Sequence, residues 1–138
     1  MRPKNSCYTY FHISGNFDPE KVTELLSLAP DRIRKIGDRL PSGKRTRCAI
    51  WEFGRCEEYD AEVENMMRKT VAPLLGKTDI LNKIREENDV EFWLSIVPTV
   101  YPANPSPALA PPLDIIDFCH ATRTEIDIDL YVSDRSEN

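Results

Sequence analysis

The stretch that most constrains this fold is the last one, Thr124 to Val132, which reads Thr-Glu-Ile-Asp-Ile-Asp-Leu-Tyr-Val. Ile126, Ile128, Leu130 and Val132 fall on one side, and Glu125, Asp127, Asp129 and Tyr131 on the other. Alternation with period two is the signature of a β-strand. A strand of this kind belongs in a sheet with one covered face and one face that is open or met by a partner.

The rest of the chain must supply that sheet and its cover. Its 138 residues are 41% hydrophobic and 30% charged, which suits one globular domain over 1–138 with short disordered termini at about 1–5 and 134–138. The net charge of −5 speaks against nucleic acid as a general partner. Met-Arg-Pro-Lys-Asn-Ser lacks an apolar signal core and no apolar run reaches spanning length, so the expectation is a cytoplasmic chain with no membrane partner. In that compartment Cys7, Cys48, Cys56 and Cys119 are expected reduced and mostly buried.

Taken in order, Cys7 to Ile13 predicts a first strand, with Tyr8, Tyr10 and His12 opposite Cys7, Thr9, Phe11 and Ile13. Asp18 and Pro19 open a helix that runs to about Ser27. Asp31 to Arg47 reads as an irregular loop or bent hairpin, followed by a second strand over Arg45–Phe53 with two sides that could face the core, Ala49, Trp51 and Phe53 or Cys48 and Ile50, of which Trp51 favours its own. Glu57 to about Ala72 predicts an amphipathic helix, and Thr78 a cap for a shorter one over Asp79–Glu87. Val90 to Val97 is the third strand. Pro98 to Pro112 holds six of the eleven prolines and predicts stiff, extended backbone. Leu113 to Ala121 predicts a helix with Leu113, Ile116 and either Phe118 or His120 inward. The order of elements points to an α+β fold: a ferredoxin-like, four-stranded antiparallel sheet of order four-one-three-two, helices on one face, and a two-helix insertion between strands two and three. The rival is a mixed sheet covered on both faces.

Phe11-His12-Ile13-Ser14-Gly15, Phe17-Asp18-Pro19, Val22-Thr23, Leu26, Leu28, Pro30, Gly37-Asp38, Trp51 and the closing Ile-Asp-Ile-Asp-Leu-Tyr run together resemble the bacterial domain-of-unknown-function family four-two-seven-nine. The resemblance implies a stand-alone bacterial domain of this size and brings no activity with it.

Three sets of residues are candidates for function. The open face of the expected sheet gathers Tyr10, His12, Trp93, Ser95, Asp127, Asp129 and Tyr131. Aromatic rings beside carboxylates suit a cationic peptide, a small ligand or a second copy of the chain, and cover by the proline tract is the ordinary alternative. The second set is the basic stretch 31–47, with Arg32, Arg34, Lys35 and Arg39 among seven cations; a solvated loop is its ordinary reading. Third, Cys48, Cys56, Cys119 and His120 lack the close Cys-x-x-Cys spacing of a zinc site, and Cys119 and His120 project about 100° apart on a helix. His12 with Asp127 or Asp129 is the other conceivable metal pair, and the expectation is no metal and no cofactor. No nucleophile elbow, phosphate loop or dinucleotide fingerprint is present. The sequence therefore points to a binding domain, most simply a protein–protein or immunity-type partner or a homodimer. The alternative is a small-molecule sensor or enzyme that uses the same face.

Overall fold

A computed structural model describes residues 3–133; the expectations for residues 1–2 and 134–138 lie outside the described residues. The elements are β1 (Ser6–Asn16), α1 (Pro19–Leu26), β2 (Arg32–Arg34), β3 (Ala49–Tyr59), α2 (Val63–Val71), a 3₁₀ turn (Ala72–Lys77), α3 (Thr78–Glu87), β4 (Asp89–Val100), α4 (Leu113–Thr122), β5 (Thr124–Ile128) and β6 (Tyr131–Val132). They form a mixed α+β fold with one six-stranded sheet of order β2-β3-β1-β4-β5, β6 continuing alongside β4.

This sheet differs from the expected one in strand number, order and direction. The second long strand, β3, lies antiparallel beside β1, and the last strand, β5, lies parallel beside β4. The two have exchanged the places that a ferredoxin-like order would give them. The reason sits in the basic stretch. Arg32–Arg34 is a strand, paired antiparallel with β3, and not loop. That extra pass reverses the chain once more before β3, so β3 runs opposite to β1 and can pair with it directly. The last strand is then left to the far edge.

The helices cover one face. Cys7, Thr9, Phe11 and Ile13 of β1, Ala49, Trp51 and Phe53 of β3, and Phe92, Leu94 and Ile96 of β4 are buried against them. Val22 and Leu26 of α1, Met66, Met67 and Val71 of α2, Leu81 and Ile84 of α3, and Ile115 and Phe118 of α4 complete a single core. Asp18 caps α1, its side chain accepting from the Glu20 N–H at 3.1 Å. Polar groups drawn into the core from β3 and β1 are paired. Trp51 Nε1 donates to Thr23 Oγ1 at 3.0 Å, and Thr9 and Thr70 share a hydroxyl bond at 2.8 Å.

Three local expectations are corrected. The helix expected from Glu57 begins at Val63, because β3 continues to Tyr59. Between Thr9 and Phe11 the β1–β3 register shifts, and Gly54 takes φ +74° there. This bulge inverts the strand's phase, so the alternation that stops at Phe53 resumes one residue later. Helix α4 turns Ile115, Phe118, Cys119 and Thr122 inward, while Leu113 and Ile116 are 77% and 41% exposed. The apolar row of the last strand is mostly uncovered too. Ile126 is half-buried, but Ile128, Leu130 and Val132 are 41%, 49% and 62% exposed. An edge strand has a neighbour on one side only, and regular pairing lapses at 129–130.

The proline tract does not lie over the open face. Asn5 is 9% exposed; its Nδ2 donates to Pro105 O at 3.0 Å, and its Oδ1 accepts from the Tyr101 N–H at 2.9 Å and from Asn104 Nδ2 at 3.2 Å. Leu109 packs against the helix-side core. The tract is thus pinned at the end of β1 and turned towards the helices.

Candidate functional site

The second face of the sheet carries no helix, and pairing in register lays its side chains out in rows. One row runs Arg32, Glu52, His12, Trp93, Glu125 across β2, β3, β1, β4 and β5. The next runs Tyr10, Ser95, Asp127. A third holds Glu57, Tyr8 and Val97. The bulge at Gly54 brings Arg55 onto this face, where its guanidinium sits 4.0 Å from the centre of the Tyr8 ring. This is a cation–π contact.

The middle of the face is aromatic. The Tyr8 and Tyr10 rings stack with centres 6.0 Å apart and planes 21° apart, the Tyr10 and His12 rings are 5.2 Å apart, and the His12 and Trp93 rings stack at 6.3 Å and 23°. Burial pushes the His12 pKa below its ordinary value, against the pull of Glu52 and Asp127 and with a smaller push from Arg32. Burial likewise raises the Tyr10 pKa. Tyr131 donates its hydroxyl to Asp129 Oδ2 at 3.1 Å, and that bond raises its pKa.

The margins differ in charge. On the β2–β3 side stand Arg32, ion-paired with Glu52, and Arg55, 3.6 Å from Glu57. On the β5 side stand Glu125, Asp127 and Asp129, all exposed. None of these three has a cationic partner among the described residues.

The seven open-face residues named from the sequence therefore share one side of the sheet, and Tyr8, Glu52 and Arg55 join them. Tyr8 was legible from the alternation in β1. Arg55 was not, because the bulge hides its side. The basic stretch does not form one patch. Arg32 joins the open face, while Lys35 pairs with Glu20 of α1 at 2.6 Å, and that hydrogen bond raises its pKa. Arg34, opposite Ile50, shares the Arg32 side of β2, and Arg39 bridges to Arg45 in the connecting turn. The cysteines and His120 are not gathered together. Cys48 is exposed before β3, Cys56 donates to Glu58 Oε2 at 3.3 Å, Cys119 is buried under α4 and His120 is exposed. Among the described residues no group of three or more His, Cys, Asp or Glu is arranged to hold a metal ion.

One pair on the face has the elements of a nucleophile and a base: Ser95 Oγ lies 3.4 Å from His12 Nε2. Ser95 sits mid-strand between β1 and β5 and is 4% exposed. The amides around it are committed to strand pairing, so no pair of free N–H groups faces a developing oxyanion. The arrangement suits recognition better than acyl transfer.

Fold and face together define an α+β domain with an uncovered, aromatic-centred sheet. The chain matches the family model described as Domain of unknown function (DUF4279) over residues 5–133, and it belongs to that family. Neither the curated proteins nor the solved structures contain a match. Among the described residues no helix is long and apolar enough to cross a membrane.

Proposed function

We propose that the domain works by binding, and that the open sheet face recognises a protein, in the cytoplasm of a bacterium. The observation that carries this reading is the face itself. Four adjacent rings, Tyr8, Tyr10, His12 and Trp93, stand between charged margins on a sheet side that no helix covers. Amphipathic rings of this kind supply contact area at low entropic cost, and flanking charges set orientation. One version is an antagonist or immunity-type partner, in which Glu125, Asp127 and Asp129 meet a basic surface. A flat cationic small molecule is the second reading, favoured by Asp127 standing beside Ser95 and Tyr10 without a cation of its own.

The test is a comparison of wild type with Trp93→Ala and Asp127→Lys. Native-host extract is passed over each immobilised domain, and a metabolite set is screened by thermal shift. The reading expects a stoichiometric protein on wild type that both substitutions remove. Capture equal on all three domains would sink it. A metabolite that stabilises wild type alone would move the assignment to the small ligand.

A further inference from the structure

Strand β5 ends the sheet on one side, and β6 prolongs the edge that it offers. Ile96 faces Ile128 and Thr99 faces Tyr131, so the two run along β4 in one register. The Asp129 N–H donates to Ile96 O at 2.9 Å and the Ser133 N–H to Val100 O at 2.8 Å. Along a strand, successive backbone groups turn to opposite neighbours. The odd-numbered residues therefore turn theirs to β4, and Ile126, Ile128, Leu130 and Val132 turn theirs outward. The lapse at 129–130 has a local cause. The bond that Asp129 O would accept comes from residue 98, and Pro98 has no N–H. No strand lies on the outer side among the described residues.

The two faces of this edge differ in chemistry. On the helix side Ile128, Leu130 and Val132 are exposed, and Ile126 lines a groove of about 760 Å³ with Ile116 of α4. Leu113, one turn before Ile116, is exposed too. His120 and Arg123, also in the groove, stand where α4 passes to β5. On the open side stand Glu125, Asp127 and Asp129, without a cationic partner among the described residues. We propose that the partner docks as an added strand on the β5–β6 edge, through an extended segment that alternates Lys or Arg with aliphatic side chains. The proposal rests on the reading of the domain as a protein binder and says which part of the partner is held.

An added strand gives the outward amides their bonds, and its alternate side chains fall on the two faces. Its aliphatic row extends the cover over Ile126 and Ile128. Its cations come directly opposite the three carboxylates, where unlike charges stabilise a strand pair. A second copy does not fit this edge. Antiparallel pairing centred on Asp127 sets Asp127 against Asp127 and Glu125 against Asp129, with like charges directly opposite. Acidic side chains can also serve to keep other edges away. That role predicts no affinity for any strand, which the experiment reads directly.

The experiment is fluorescence anisotropy with the full chain and labelled peptides as long as the edge. One peptide alternates Lys and Val, and one replaces each Lys by Glu. Two more carry the Lys–Val sequence with N-methyl groups, on the Val amides or on the Lys amides. Only one of these two sets can face β5. Wild type is expected to bind the Lys peptide, to ignore the Glu peptide, and to separate the two methylated peptides by about tenfold or more. Ile128→Pro removes an outward N–H and no bond to β4, and should weaken binding about tenfold or more. Asp127→Lys with Asp129→Lys should weaken it about 100-fold or more. Circular dichroism confirms that both variants are folded. A wild type that does not bind the Lys peptide overturns the proposal and leaves a protected edge. So do equal affinities for the two methylated peptides, which reduce the attraction to charge alone. The reading of the open face stands or fails separately. A host protein lost on Trp93→Ala but held by Ile128→Pro keeps the face and removes the added strand. Loss on Ile128→Pro alone does the reverse.

Discussion

The bulge at Gly54 makes a sharp quantitative test, because two separable costs attach to one methyl group. Gly54 has φ +74°, and a Cβ added there would lie 3.0 Å from Thr70 O, 3.2 Å from Thr70 Cγ2 and 3.3 Å from Thr70 Cα. Thr70 Oγ1 also donates to Gly54 O at 2.7 Å. In Gly54→Ala the left-handed backbone costs about 1 to 2 kcal/mol. Helix α2 must also retreat by a few tenths of an ångström, which weakens a hydrogen bond worth about 1 kcal/mol. The sum is about 2 to 3 kcal/mol. For 138 residues at about 2.1 cal/mol/K each, 1 kcal/mol moves Tm by about 3 to 4 °C, so the expected fall is about 7 to 10 °C. Two control substitutions separate the costs. Gly37 has φ +90° with nothing within 4 Å of an added Cβ, so Gly37→Ala bears only the backbone cost and should lose about 3 to 7 °C. Gly76 has open space and no left-handed φ, so Gly76→Ala should stay within about 2 °C of wild type. Thermal melts followed by circular dichroism rank the three. If Gly54→Ala melts no lower than Gly37→Ala, the contact with Thr70 carries no stability and the bulge argument is wrong.

Further predictions follow from the rest of the structure. Asn5→Ala removes three side-chain hydrogen bonds to the proline tract, so it should cost about 2 kcal/mol and open Tyr101–Pro112 to limited proteolysis; an unchanged cleavage pattern would show that the tract is held elsewhere. The folded-state pKa of His12 lies below its ordinary 6.5, so the unfolded chain takes up the proton first and stability is lost as pH falls through 6.5. Tm should drop between pH 7 and pH 5, and His12→Gln should flatten that slope. Glu58 and Asp114, whose pKa values are lowered by hydrogen bonds to Lys69 and Arg68, act only below the ordinary carboxylate range and leave this window clear. Burial pushes the Cys7 and Cys119 thiols up to about 11, so at pH 8 a thiol reagent should modify exposed Cys48 promptly and those two only on unfolding. Prompt modification of Cys7 or Cys119 in the folded chain would contradict their burial.

Much of the sheet was legible because burial on one face writes itself as alternation. β1 shows it without interruption from Cys7 to Ile13, so this central strand and its open side follow from residue order, whereas β4 is buried on both faces from Leu94 to Pro98. Legibility fails where the code is degenerate. Leu113-Asp114-Ile115-Ile116-Asp117-Phe118 contains two apolar stripes, and only packing selects Ile115 and Phe118 over Leu113 and Ile116. Strand order is not written in any one strand. Thr124–Val132 carries strong alternation, yet its place at the edge leaves Ile128, Leu130 and Val132 exposed, and no local pattern reports on an absent neighbour.

The two features that misled a local reading are the two that build the candidate site. Arg32–Arg34 resembles loop because three residues between Pro30 and Gly37 are too few to display a period, yet their pairing with β3 turns the chain back and seats β3 beside β1. That exchange seats Arg55 beside the rings of β1 and the acidic strand beside β4. Had the last strand paired with β1 and β3 with β4, Asp127 would lie beside Tyr10 and Arg55 away from Tyr8. The bulge at Gly54 acts in the same direction, since it turns Arg55 out of the core side and onto Tyr8. The neighbours of each charge on the face are thus a consequence of topology. Arg32 and Arg55 are paired with Glu52 and Glu57, whereas Glu125, Asp127 and Asp129 have no cationic partner among the described residues and are left to be matched from outside. Removing charge without touching the rings, by Asp127→Asn with Asp129→Asn, should therefore weaken whatever association the face supports while leaving the fold intact. Undiminished association in that variant would mean that the rings alone carry it.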